Sequence, residues 1–194
     1  VIELAVLGGF VFFMEKGYAG EEKIVFEDDF SNPEKSKEIW KNGDGGVRLE
    51  VKDGKGTVHH KDMWGWVETK DFIDIDMSQK AYIDVKVDGI DGVNGWMVVK
   101  VADDKGGLYH AIESREIRNQ KIIINNLVNA FEGKKKYKLW IGGSQKENGF
   151  ANYTSVKIYQ VDSPAVSFME SKLHYRPFKG VYGDAIPFYH KGVY

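Results

Sequence analysis

"AYIDVKVDGI" (residues 81–90) is the stretch that decides the fold, because its alternation assigns every side chain to a face. Tyr82, Asp84, Lys86 and Asp88 fall on one side and Ile83, Val85 and Val87 on the other, the period-two pattern of a strand with one wet and one buried face. Outward from it, the same signal recurs in "KIVFEDDF" (23–30), "VRLEVKDGKGTVHH" (47–60), "WVETKDFIDI" (66–75), "GWMVVKVADD" (95–104), "KIIINNL" (121–127), "KYKLWIGG" (136–143) and "TSVKIYQV" (154–161). Each is alternating or β-branched and bounded by Gly, Asp or Asn, so each reads as a strand. Strands at this spacing without intervening helices predict an all-β sandwich or barrel rather than βαβ units. "DGKG" (53–56) predicts a tight hairpin turn. One short helix is expected between Asn32 and Trp40, with Asn32 as its cap and Pro33 at the first helical position.

Composition sets the outer bounds. The chain has 194 residues, 42% hydrophobic and 29% charged, with a formal net charge of -2, which supports one good core and argues against a disordered tail or a basic nucleic-acid binder. It contains no cysteine, so neither disulfides nor thiolate metal sites are available and packing alone must hold it. The apolar run from Leu4 to Met14 is too short to span a bilayer as a helix. It has the length of a signal-peptide hydrophobic region, and Gly17 and Ala19 supply small residues near its end; the other reading is a strand or helix from an upstream segment. On the signal reading, residues 1–20 are a targeting remnant and the protein is secreted.

The aromatic content, 13% with 5 Trp and 10 Tyr, exceeds what a core of this size needs. In "GWMVVKV", Trp96, Val98 and Lys100 oppose Met97, Val99 and Val101; in "KYKLWIGG", Trp140 and Lys138 oppose Tyr137, Leu139 and Ile141. Trp96 and Trp140 are therefore candidates for an outer face, the alternative being a second buried layer. Exposed flat rings matter because a sugar presents an apolar face of C–H groups that an indole can cover, while polar neighbours engage the hydroxyls around its rim. "HHKDMWGWVE" (59–68) mixes both kinds most densely: Trp66 is expected to open a strand and pack inward, leaving Trp64 on a loop as the binding candidate. His59 and His60 are adjacent and point to opposite faces of a strand, which argues against joint metal chelation. A second polar and aromatic cluster, "GGLYHAIESRE" (106–116), adds Tyr109, His110 and Arg115.

The order "FEDDF…W…G", then "WVETKDFIDID" from Trp66, then "YKLWIGGSQKENGFANYTSVKIY" resembles the jelly-roll, galactose-binding-like carbohydrate-binding modules appended to secreted glycoside hydrolases, over residues 21–162. That resemblance implies a poly- or oligosaccharide ligand, no required cofactor, and a structural calcium for which Glu27, Asp28, Asp29 and Asn152 are the oxygen candidates, the alternative for "EDD" being a solvated acidic turn. Beyond a linker at 163–173, "HYRPFKGVYGDAIPFYHKGVY" (174–194) is similar to the first-blade motif of the five-bladed β-propeller glycoside hydrolases of family 32, with His174, Pro177, Lys179, Gly180 and Asp184 at matching spacing, and the related family 43 propellers also place an Asp at this point. By that resemblance Asp184 is the carboxylate facing the anomeric carbon, whereas an ordinary turn aspartate is the plainer reading. The sequence is thus expected to be a fragment of an exported glycoside hydrolase, inert by itself because the partner carboxylates of such enzymes lie in later blades. A purely structural or interaction sandwich is the alternative.

Overall fold

The computed structural model describes residues 3–7, 10–14, 21–43, 46–90, 95–115 and 119–166. Asp184, the propeller-like segment 174–194 and most of the expected linker lie outside the described residues. The strands are β1 (Glu3–Leu7), β2 (Phe10–Met14), β3 (Glu22–Asp28), β4 (Trp40–Lys41), β5 (Arg48–Lys52), β6 (Lys55–His59) and β7 (Trp64–Thr69). They continue with β8 (Ile73–Asp76), β9 (Gln79–Ile90), β10 (Trp96–Asp103), β11 (Leu108–Ser114), β12 (Gln120–Ile123), β13 (Lys134–Ser144) and β14 (Phe150–Pro164). Two short helices, α1 (Pro33–Ile39) and α2 (Ile124–Val128), interrupt them.

β1 and β2 pair as an antiparallel hairpin over the stretch whose apolar run attracted the signal-peptide reading. The other strands form two six-stranded antiparallel sheets. The first runs β12, β9, β14, β6, β5, with β3 sharing the β6 edge of β14; the second runs β11, β10, β13, β7, β4, with β8 sharing the β7 edge of β13. Between them lies one apolar layer built from the residues that alternation assigned to it: Ile83, Val85 and Val87 from β9, Met97, Val99 and Val101 from β10, and Tyr137, Leu139 and Ile141 from β13. This is the expected all-β sandwich of the jelly-roll class, with the chain crossing repeatedly between the two sheets.

Local chemistry explains the connections. Asp53 and Gly54 both take positive φ (52° and 72°), the conformation that a two-residue hairpin between β5 and β6 demands. Asn32 caps α1 by accepting from the backbone N–H groups of Glu34 and Lys35, and Pro33 follows as expected. α2 departs from expectation, since "KIIINNL" reads as one strand. The ladder stops at Ile123 because the Asn125 side chain is drawn into the core, where it donates to Met77 O (2.9 Å) and Gln79 O (3.0 Å) and accepts from Ala81 N (2.8 Å). β14 extends through Pro164, and Ala165 N donates to Ser78 O, so the first residues of the expected linker are tied to the sandwich.

One side chain bridges the layers. Tyr153, on β14, reaches across the core so that its hydroxyl accepts from Gly142 N (3.1 Å) and faces the carbonyls of Gly142 (2.6 Å) and Val98 (3.0 Å) in the opposite sheet. Burial pushes its phenol well above the usual range. The bridge fixes β13 at the glycine that forms the floor of the site described next.

Candidate functional site: the tryptophan face of the second sheet

β7 alternates: Gly65, Val67 and Thr69 are buried against the core, so Trp64, Trp66 and Glu68 project from the outer face of the second sheet. Gly65 is glycine because a Cβ there would fall 2.5 Å from His60 and 2.6 Å from Val47. Gly142 is still more constrained, since its Cβ would run into the carbonyl of Gly65. Gly65 lets His60 and Val47 close on the core side of β7, while Gly142, between Trp66 and Val98, lets β7 and β13 approach and adds no side chain beneath the Trp66 row.

Register then assembles the face. Trp64 is opposite Ser144, and Ser144 is opposite Trp96. One step along, Trp66, Gly142, Val98 and Glu113 stand in line. A further step brings Glu68, Trp140, Lys100 and His110 together. Four of the five tryptophans therefore share one face. The fifth, Trp40, is in the core, where its Nε1 donates to Asp28 Oδ2 (2.8 Å).

The rings divide into two kinds. Trp66 and Trp140 are half-buried and stacked, with centroids 5.5 Å apart and planes at 21°. Lys100, which is only 6% exposed, sets its Nζ 3.6 Å from the Trp66 centroid. Burial pushes its ammonium below the ordinary lysine range, while Glu113 pulls the other way. This cluster is fixed. Trp64, by contrast, is 61% exposed, and Trp96 is half-buried with the Arg115 guanidinium 5.6 Å from its ring. Two strand spacings, about 10 Å, separate the Cα atoms of Trp64 and Trp96, with the Ser144 hydroxyl between them.

The carboxylates of this face are held by protein partners. Glu68 Oε1 lies 3.3 Å from Lys41 Nζ and 3.9 Å from Lys138 Nζ. Glu113 lies 3.6 Å from His110 Nδ1 and accepts from Ser144 Oγ at 3.4 Å. Three strand spacings, about 14 Å, separate the backbones of Glu68 and Glu113.

Of the sequence-derived candidates, Trp64, Trp96, Trp140 and His110 come together here. Trp64 is the first residue of a strand rather than part of a loop. Tyr109 does not join them: a shift in register between Val99 and Lys100 puts it opposite Val101, on the core side, with its hydroxyl donating to Asp103 Oδ2 (3.1 Å). Trp66, expected to pack inward, faces outward; the buried alternate set Gly65, Val67, Thr69 is the signal that could have placed it. Lys100 was missed because its ring partner is on another strand.

The expected calcium ligands are not brought together. Asp28 is buried and accepts from Phe30 N (2.9 Å), Ser36 Oγ (3.0 Å) and Trp40 Nε1 (2.8 Å), so it anchors α1. Asp29 accepts from Ser31 N and Oγ, and Glu27 is exposed. Asn152 accepts from Thr57 Oγ1 and sits four residues along β14 from Val156, the partner of Asp28, roughly 13 Å away. Among the described residues no group of three or more His, Asp or Glu could hold a metal, and the His59–His60 pair splits as alternation requires, His59 meeting Glu50 (3.3 Å) and His60 buried. A cleft of about 520 Å³ opens elsewhere, at the sandwich edge between β3, α1 and β8, lined by Phe26, Ile39 and Phe72 with Glu38, Asp71 and Asp74. It does not include the tryptophan face.

No protein-family model and no curated protein matches the sequence. Among solved structures, the chain is similar to the low-affinity xylan-binding module CBM86 from the gut symbiont Roseburia intestinalis, at 16% identity over 74% of this chain and 97% of that one, with a TM-score of 0.45. It is similar also to PfGH50B, at 8% identity over 67% of this chain and 24% of that one, TM-score 0.44. A third similarity is to TmCBM27, a carbohydrate-binding module with specific mannan recognition, at 14% identity over 72% of this chain and 98% of that one, TM-score 0.36.

Proposed function

We propose that this sandwich is a carbohydrate-binding domain and that saccharide docks on the outer face of the second sheet, over Trp64, Ser144 and Trp96. The observation that carries the reading is the registered placement of four tryptophans on one sheet face, two stacked and fixed and two more open, around a side-chain-free floor at Gly142. An exposed indole held in a strand offers a large flat apolar area at little rotamer cost, which suits the C–H face of a pyranose. The exposed carboxylate of Glu113 and the half-buried one of Glu68 supply acceptors for hydroxyl groups.

The resemblance of residues 174–194 to a propeller first blade extends this reading. On it, the sandwich is the accessory domain of an exported glycoside hydrolase, with Asp184 as one carboxylate of that enzyme's separate active site. Affinity electrophoresis through gels containing soluble polysaccharides tests the binding claim. The wild type is expected to be retarded, and Trp64→Ala and Trp96→Ala to run unretarded with unchanged thermal stability for Trp64→Ala. Failure of every polysaccharide to retard the wild type would refute it.

A further inference from the structure

The ligand class can be narrowed from the charges on the same face; this step rests on the proposed carbohydrate site. Around the four tryptophans stand the cations Lys41, Lys100, Lys138 and Arg115, and the carboxylates Glu68 and Glu113. Both carboxylates are already engaged, Glu68 by two lysines and Glu113 by His110 and Ser144. Among the described residues this face thus carries four cations against two carboxylates, on a chain whose net charge is -2. Along the rest of this face the signs balance, with Lys136 opposite Asp74 and Lys134 opposite Asp76. Among the described loop residues near Trp64 the signs balance too, Lys61 with Asp62 and Lys146 with Glu147.

Position reinforces sign. Trp64, Ser144 and Trp96 form a line across the strands, and the guanidinium of Arg115 lies at its far end, beside the Trp96 ring. A β-linked pyranose advances roughly 5 Å along its chain, close to one strand spacing. A sugar chain laid across the strands thus puts one ring at Trp64, the next above Ser144 and a third at Trp96, next to Arg115. A carboxylate on that third ring meets a planar fork of donors suited to bidentate pairing. Lys100, buried beneath Trp66, adds positive potential from a site with little water to screen it.

We propose that the face selects an acidic polysaccharide, with a hexuronate carboxylate read by Arg115 while the rings stack on Trp64 and Trp96. Neutral polymers of the same backbone bind more weakly, because no group of theirs meets the excess charge.

The test compares polymannuronate, the β-linked block of alginate, with its carboxyl-reduced, neutral counterpart by isothermal titration calorimetry, with dextran sulfate as the sulfated arm. At moderate salt the uronate polymer is expected to bind at least about tenfold more tightly than the reduced one, and Arg115→Ala to remove about tenfold of the uronate affinity while changing neutral binding less than twofold. Trp64→Ala is expected to abolish uronate binding, which distinguishes a stacked saccharide from simple attraction of any polyanion. Equal affinity for uronate and reduced polymers would overturn the acidic preference and leave the carbohydrate site standing. Tighter binding to dextran sulfate, unaffected by Trp64→Ala, would overturn it as well. Binding to none of these or any neutral polymer would overturn the site itself.

Discussion

Replacing Tyr153 with phenylalanine deletes one oxygen from the centre of the sandwich and alters no shape. In the wild type that oxygen accepts from Gly142 N at 3.1 Å and lies 2.6 Å from Gly142 O, inside a fully buried site. Without it, a backbone N–H is left in the apolar layer with no acceptor from this side chain, at a cost of about 1–3 kcal/mol. At about 3 °C of melting temperature per kcal/mol for a domain of this size, Tyr153→Phe is expected to melt roughly 3–9 °C lower near neutral pH. The alkaline limb supplies an independent check. Burial raises the phenol of Tyr153, and that of Tyr137 to about 12, above the unfolded value of 10.0. Their contribution is fully present below pH 10; above it the unfolded chain loses protons that the folded chain keeps, so stability falls as pH rises, by about 1.4 kcal/mol per pH unit for each group. Tyr153→Phe loses this group's share while those of Tyr137 and Tyr109 remain, so between about pH 10 and 11 its decline is expected to be shallower than the wild type's. Urea denaturation followed by far-UV circular dichroism at several pH values measures both quantities. A variant within about 0.5 kcal/mol of wild type near neutral pH, or one with the wild-type alkaline slope, would refute the bridging role.

Three more outcomes follow from the same geometry. Gly142→Ala drives a methyl group into the backbone of β7, so it is expected to destabilise by about 3 kcal/mol or more and to weaken polysaccharide retardation with it; denaturant midpoints near wild type would contradict the packing. Asp28→Asn replaces a carboxylate that takes three donors, including Trp40 Nε1, with an amide that can accept less, and is expected to cost about 2–3 kcal/mol by urea denaturation; excess EDTA should leave the wild-type melting temperature unchanged, and a drop would mean that an ion occupies this region after all. Hydrogen bonds from Ser31 and Ser78 hold the carboxyls of Asp29 and Asp76 below the usual range, and Asp103 is lowered by its backbone and Tyr109 bonds against the opposing effect of desolvation. Their stabilisation is present above the unfolded carboxylate range and lost as pH falls below it, so acid titration should show stability decreasing below about pH 4, less steeply in Asp103→Asn.

Much of the fold was legible because a strand's period is local. The faces of 81–90, the opposed sets around Trp96 and Trp140, the Asp53–Gly54 turn and the Asn32 cap each depend on residues within a few positions of one another. α2 was not legible, since what ends the strand at Ile123 is Asn125 bonding to Met77 and Gln79, more than forty residues away. Trp66 shows the same limit from another side. Alternation groups it with Trp64 and Glu68, but the core claims the opposite set because the small residue Gly65 lets His60 and Val47 close over that side.

The sequence by itself determined that this chain alternates, that it lacks cysteine, and that its tryptophans exceed the needs of a core. Tertiary structure decided which of those rings meet. Trp64, Trp66, Trp96 and Trp140 come from three strands, and their alignment depends on β13 pairing with β7 on one edge and β10 on the other in a single register. A slip of one residue would turn every side chain of a strand to the opposite face, and that choice is made by the burial of the apolar layer as a whole.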